Sequence, residues 1–280
     1  MTKPDKVTAK VRHFRVPRQL FHVGLLILVL VAMVANLAGN LSIASPHAKH
    51  KQENIDASQL SVIKLDQVSS LHQILEQEQD ARVVLVGESH TRLDHHQVQL
   101  ETLKYLYQKS PNIALGVEWF QKPFQKHLDE FIAGKLSEQE MLHATEYFSR
   151  WRYDYRLYQP IMQFARDNKI PIIALNASRE LTQALSKQGF DDLPEDLQDQ
   201  LPASYDWSDK DYEKRLYEMF KLHPESGNKF DSFLRGQLTW DESMAETAAD
   251  YLKDNPDYRM LVLAGSGHVQ YGSGLSLIHI

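Results

Sequence analysis

The sequence predicts an α/β fold: a mostly parallel sheet flanked by helices, with a helical subdomain inserted between strands. Three observations lead there. Four short apolar runs each end in polar or small residues, amphipathic segments separate them, and two of the connections are far longer than a single crossover helix.

The elements follow in chain order. Leu71, Ile74 and Leu75 share one face of a helix predicted over residues 69–78. The first apolar run, RVVLV at 82–86, leads into Gly87-Glu88-Ser89-His90. A helix over 94–109 follows, with Val98, Leu100, Leu103 and Leu106 at helical spacing and Thr91-x-x-Asp94 in front of it as a capping box. The second run, IALGV at 113–117, ends at Glu118. Ile161, Met162, Phe164 and Ala165 mark a helix over 158–168, and the third run, IPIIAL at 170–175, ends at Asn176. Met244, Ala245, Ala248 and Leu252 mark a helix over 241–253 before the fourth run, MLVLA at 260–264, which opens into Gly265-Ser266-Gly267-His268. Apolarity that is continuous rather than alternating marks strands buried on both faces, as in a parallel sheet. Residues 119–157 and 178–240 exceed one crossover and are expected to hold the helical insertions, with an acidic surface loop at 189–207.

Composition removes several classes of function. Of 280 residues, 42% are hydrophobic and 24% charged, close to the average for soluble domains and unlike a disordered chain, a coiled coil or a polytopic membrane protein. There is no cysteine, which excludes disulfides, thiolate metal sites, a cysteine nucleophile and a lipidated cysteine. The net charge is −6; residues 1–44 carry six Lys or Arg against Asp5, or +5, so the remainder carries −11. An acidic body argues against a nucleic-acid partner.

The N-terminus reads as an address. A basic leader precedes the apolar run VGLLILVLVAMVANLAG at 23–39, the pattern of a signal peptide or signal anchor over residues 1–44. Ser42-Ile43-Ala44 offers a cleavage site before Ser45, while the run is also long enough to span a bilayer and hold the chain at the membrane. Either fate puts the body across the membrane, in a bacterium the periplasm. Leu37-Ala38-Gly39-Asn40 is similar to a lipoprotein processing box with Asn40 in place of cysteine. Residues 45–68 read as a polar linker, and 69–274 as the folded domain. Residues 275–280 (LSLIHI) match a translated sequencing-library adapter, so they carry no functional weight, His279 included.

In open parallel sheets ligands bind beyond the carboxyl ends of the strands. Glu88 and His90, Glu118, Asn176 and His268 all follow such ends. Two carboxylates and two imidazoles there suit a divalent metal or an acid–base pair. Each residue alone has a structural explanation, as a cap or a turn, and His95 and His96 at a helix start are by default a solvated pair. A second cluster, YFSRWRYDYRLY at 147–158, packs aromatic and basic residues densely enough to face a planar acidic ligand, or simply to pack a helix–loop segment.

These blocks together resemble the ChaN-like haem-binding uptake family, part of a wider group with Tiki, TraB and erythromycin esterase proteins. The residues that carry the resemblance are GESH at 87–90, GVEWF at 116–120, Gly134, PIMQFA at 160–165, Asn176, QLTWDESMA at 237–245 and AGSGHVQYG at 264–272. The resemblance implies a periplasm-facing protein of haem and iron uptake. It implies haem held by a tyrosine between two subunits, hence a homodimer around cofacial haems. Tyr158 is the first choice of ligand, then Tyr155 and Tyr271, with His90, His96 and His268 for propionate contacts or supporting bonds. The family's usual lipid anchor is ruled out by Asn40. A rival reading is a metal-dependent hydrolase in which Glu88, His90, Glu118 and His268 bind a divalent metal. A third is an envelope adaptor with a vestigial crevice.

Overall fold

The computed structural model describes residues 70–78, 80–222 and 229–277. The leader, the apolar run and the whole of the linker at 45–68 lie outside the described residues. Among the described residues no helix is long and apolar enough to cross a membrane.

The described part begins with helix α1 (Leu71–Gln77), strand β1 (Val83–Glu88), helix α2 (Leu93–Lys109) and strand β2 (Ile113–Gln121). Helices α3 (Gln125–Ile132), α4 (Glu138–Ala144) and α5 (Gln159–Asp167) lead to strand β3 (Ile172–Asn176). Helices α6 (Arg179–Gln188), α7 (Lys210–Lys221) and α8 (Phe230–Asp254) precede strand β4 (Arg259–Gly265). All four strands pair in parallel, in the order β1-β4-β2-β3, so the last strand in sequence lies between the first two.

Side chains alternate across the sheet and build two cores. On one face Leu115, Val117, Ile172, Ala174, Leu261 and Leu263 pack with Leu103 and Leu106 of α2, Leu128 and Phe131 of α3, and Ile161 and Met162 of α5. On the other, Ala114, Ile173, Leu175, Met260, Val262 and Ala264 pack with Met244, Ala248 and Leu252 of α8. Leu275, inside the tail that the sequence sets apart, is fully buried in this second core. Both insertions are helical. The first starts later than expected, because β2 runs on to Gln121. The second includes the front half of α8, which starts at Phe230 rather than 241.

Two local expectations are corrected. Thr91 caps nothing: the N-cap of α2 is Arg92, and its guanidinium claims the Asp94 carboxylate at 2.6 Å. The capping box occurs instead at α4, where Ser137 and Glu140 exchange bonds. The stretch at 189–207 is not merely a surface loop either. It buries Leu193 and Leu197 against Leu181 and Leu185 of α6, because its apolar residues find a partner face there.

Candidate functional site

The carboxyl ends of the strands gather the chemistry in two halves. The first belongs to the α2–α5 face. Glu88 closes β1 and is 2% exposed. One of its carboxylate oxygens accepts from His90 Nδ1 at 2.7 Å and, at a long 3.5 Å, from the Tyr158 hydroxyl. The other lies 3.6 Å from His96 Nε2. His96 is buried, its ring bonded to the His90 carbonyl at 3.2 Å and to Gln99 at 3.1 Å.

The second half belongs to the α8 face. The β2–β3 register shifts between Val117 and Gln121, and Glu118 sits at that irregularity. Such a break re-aims a side chain at the end of a strand. The Glu118 carbonyl accepts from the Asn176 amide at 3.0 Å, and its carboxylate accepts from the Gly265 N–H at 2.6 Å. The other carboxylate oxygen lies 3.3 Å from His268 Nε2. His268 Nδ1 donates to Asp241 at 2.5 Å, and the Tyr212 hydroxyl donates to the other oxygen of Asp241. A buried line therefore runs Tyr212–Asp241–His268–Glu118.

The halves meet at Gly265, which pairs with Glu88 across the β1–β4 ladder. A Cβ there would stand 2.9 Å from the His90 ring and 3.4 Å from Glu118 Oε2. Only a residue without a side chain lets the two groups approach this closely.

Electrostatics separates the two histidines. Burial works hard against a charge on His268, yet the carboxylates of Asp241 and Glu118 overcome it and hold its pKa well above the ordinary 6.5. Burial also opposes a charge on His90, but the Glu88 hydrogen bond and the nearby Glu118 charge raise its pKa. Glu118 is pushed up by burial and pulled down further by His268, so it ends below its ordinary value.

An aromatic rim covers the first half. The His90 ring stands edge-on to Trp151 at 4.8 Å and against Tyr153 at 4.6 Å. Beneath them Tyr158 packs 4.5 Å from both Trp119 and His96. The three tyrosines named from the sequence are not equivalent. Tyr158 is fully enclosed, and Tyr155 is buried with its hydroxyl bonded to Glu138 at 3.3 Å. Burial raises the pKa of both. Tyr271 is 57% exposed, with φ +63° and the Arg215 guanidinium 4.9 Å over its ring.

The structure brings together Glu88, His90, His96, Glu118, Asn176 and His268. In this arrangement the carboxylates and imidazoles bond to one another, and among the described residues no three His, Asp or Glu converge on a point that suits a metal ion. Two residues escaped the sequence reading. Asp241 stands on the same helical stripe as Met244, Ala248 and Leu252, and an acid on an apolar stripe is a signal in itself. Tyr153 lies in the aromatic run, but nothing in the run distinguishes it from its neighbours.

A family model described as haem-binding uptake, Tiki superfamily, ChaN matches residues 74–277. Among solved structures, ChaN of Campylobacter jejuni, with cofacially bound haem, is 20% identical with a TM-score of 0.60, covering 75% of this chain and 80% of that one. The type III effector HopBA1 is 14% identical at a TM-score of 0.42, covering 71% and 72%. An erythromycin esterase variant, EreC in its open conformation, is 13% identical at 0.42, covering 70% and 63%. No curated protein sequence matches the chain.

Proposed function

Because the chain belongs to the ChaN haem-binding uptake family of the Tiki superfamily, we propose that it binds haem at the carboxyl edge of its sheet. The supporting observation is the rim itself: the His90 side chain, 25% exposed and anchored by buried Glu88, clusters with the rings of Trp151 and Tyr153, which stand 5.4 Å from each other. Flat apolar faces over a charged floor suit a planar ligand with ionised edges. Ferric haem also takes a phenolate oxygen as axial ligand. Burial disfavours the phenolate of Tyr158 and Tyr155. Tyr153 is half-buried at the open edge of the rim, its ring 4.6 Å from that of His90, and we assign it the iron. Tyr271 is the second choice on exposure. Tyr158 becomes a ligand only when Trp151 and Tyr153 swing aside. His90 and the arginines of the rim segment, such as Arg152, meet the propionates.

The same reading places the domain in the periplasm, delivered or anchored by the N-terminal apolar run. It pairs two copies around cofacial haems, as the haem arrangement of the Campylobacter jejuni relative suggests. Haemin titration of the purified chain, followed by absorption and by mass, tests this. Saturable binding with a phenolate-to-iron charge-transfer band, together with doubling of the mass, is expected. Binding no tighter than to an unrelated protein removes the proposal. Single Phe replacements of Tyr153, Tyr271, Tyr155 and Tyr158 identify the ligand by loss of that band.

One observation favours a second reading, hydrolysis. His90 has one ring nitrogen tied to a buried carboxylate and the other facing Gly265, the orientation of a general base. The metal-dependent form of this activity requires the carboxylate–imidazole pairs to part and admit an ion. Ester and peptide panels with and without added divalent metal separate the two forms, and no turnover in either dismisses both.

A further inference from the structure

We infer that Tyr212 and Asp241 are positioning residues for His268: the phenol on α7 fixes one carboxylate oxygen of Asp241, so that the other holds the imidazole and turns its Nε2 toward Glu118. The inference rests on the haem reading only for its effect on ligand binding.

The argument begins with packing. Tyr212 and Leu216 form the buried stripe of α7 against Leu234 and Leu238 of α8. A phenylalanine would fill the ring's place equally well, so the distinctive part of Tyr212 is its hydroxyl, and that hydroxyl donates to Asp241. Asp241 is 2% exposed and cannot turn to water for a replacement donor. Its Oδ2 is confined from the other side as well. A Cβ on Gly274 would stand 2.5 Å from that oxygen, and Gly274 adopts φ +59°, a conformation only glycine takes without strain. With both flanks set, Oδ1 has one direction in which to hold His268 Nδ1. The bond made by one imidazole nitrogen determines what the other presents. Here it presents Nε2 to Glu118, the carboxylate that Gly265 brings beside His90. The outer end of the line also reaches the surface: Arg215, one turn along α7, lies 5.7 Å from the Tyr212 ring and 4.9 Å from the Tyr271 ring.

The test is nuclear magnetic resonance of the full chain, with labelled histidine, in detergent micelles, beside haemin titration. In the wild type the His268 Nδ1 proton is expected far downfield and protected from exchange. Tyr212→Phe is expected to keep the melting temperature close to wild type, to lose that resonance through exchange, and to weaken haemin binding about tenfold, as outer bonding partners do. Asp241→Asn is expected to lower the titration midpoint of His268. Leu216→Ala removes packing from the same helix without touching the line, and is expected to lower the melting temperature while keeping the resonance. A wild-type spectrum without the resonance overturns the inference, as does its persistence in Tyr212→Phe whatever happens to haemin affinity. Its loss in Leu216→Ala overturns it too, because packing then explains the effect. Loss of the resonance in Tyr212→Phe alone, in a chain that binds no haemin, upholds the positioning role and removes the haem reading instead.

Discussion

His90 and His268 stand beyond neighbouring strands of one sheet, each bonded through Nδ1 to a buried carboxylate, yet they occupy different chemical worlds. His90 serves the α2–α5 face, has one acid in hydrogen-bond contact, and looks out past Trp151 and Tyr153 with its side chain 25% exposed. His268 serves the α8 face, lies between two acids and is 13% exposed. The first opens onto the aromatic rim, while the second is enclosed between carboxylates. A carboxylate–imidazole pair does not announce a function by itself; what lies over the imidazole decides.

Substitutions divide along the same line. The largest effect is expected from Asp241→Asn, which leaves a buried imidazole with half its compensation and the Tyr212 hydroxyl with a poorer acceptor. Breaking a buried pair in this way costs about 3–5 kcal/mol, measurable by urea denaturation. The same variant is expected to flatten the pH profile of stability. The raised pKa of His268 makes its contribution complete below its ordinary 6.5 and lost as pH rises through the raised value. The lowered pKa of Glu118 makes its contribution complete above its ordinary 4.5 and lost as pH falls through the lowered one. Stability from this network is therefore greatest between those two values in the wild type. A wild-type profile that keeps rising above pH ~7 contradicts the assigned signs.

Next comes Gly265→Ala, which sets a methyl group against the His90 ring and joins the two halves by a clash. Overpacking of this kind costs about 1–3 kcal/mol, and calorimetry should show it together with weakened haemin binding. If affinity holds while stability falls, His90 does not contact the ligand. Tyr158→Phe removes a long bond to Glu88 and is expected to cost about 1 kcal/mol or less. The smallest stability effect belongs to Tyr153→Phe, within about 0.5 kcal/mol as for a half-exposed side chain, but this is the variant expected to abolish the phenolate absorption band. If the Tyr158 variant loses the band instead, the rim opens on binding, and the contrast between a covered floor and an accessible edge must be redrawn.

The strands were legible because residues such as 113–117 and 260–264 are apolar without interruption, and a polar residue or glycine just after each run marked the edge. Glu88, His90, Glu118 and His268 could be found that way, since the parallel arrangement sends every strand end to one side. Asp241 could not, because its periodicity is that of a core helix and the functional signal is a single acid in an apolar stripe. The ranking of Tyr158, Tyr155 and Tyr271 was equally beyond the sequence. Burial separates them, and burial comes from Trp119, Trp151 and Glu138, which are remote in the chain or lack any pattern. The Thr91 cap failed for a local reason: the Arg92 guanidinium took the Asp94 carboxylate that a capping box would turn back to the Thr91 N–H.

The placing of β4 between β1 and β2 has a consequence for biogenesis. In a chain delivered amino end first, by ribosome or by translocase, the strand that both neighbours need emerges after β1, β2 and β3. Until it arrives, β1 has no partner among the described strands, and the β2–β3 pair lacks its inner neighbour. Assembly of the sheet must therefore wait for residues 259–265. The edge that needs that strand's Gly265 cannot be completed before then.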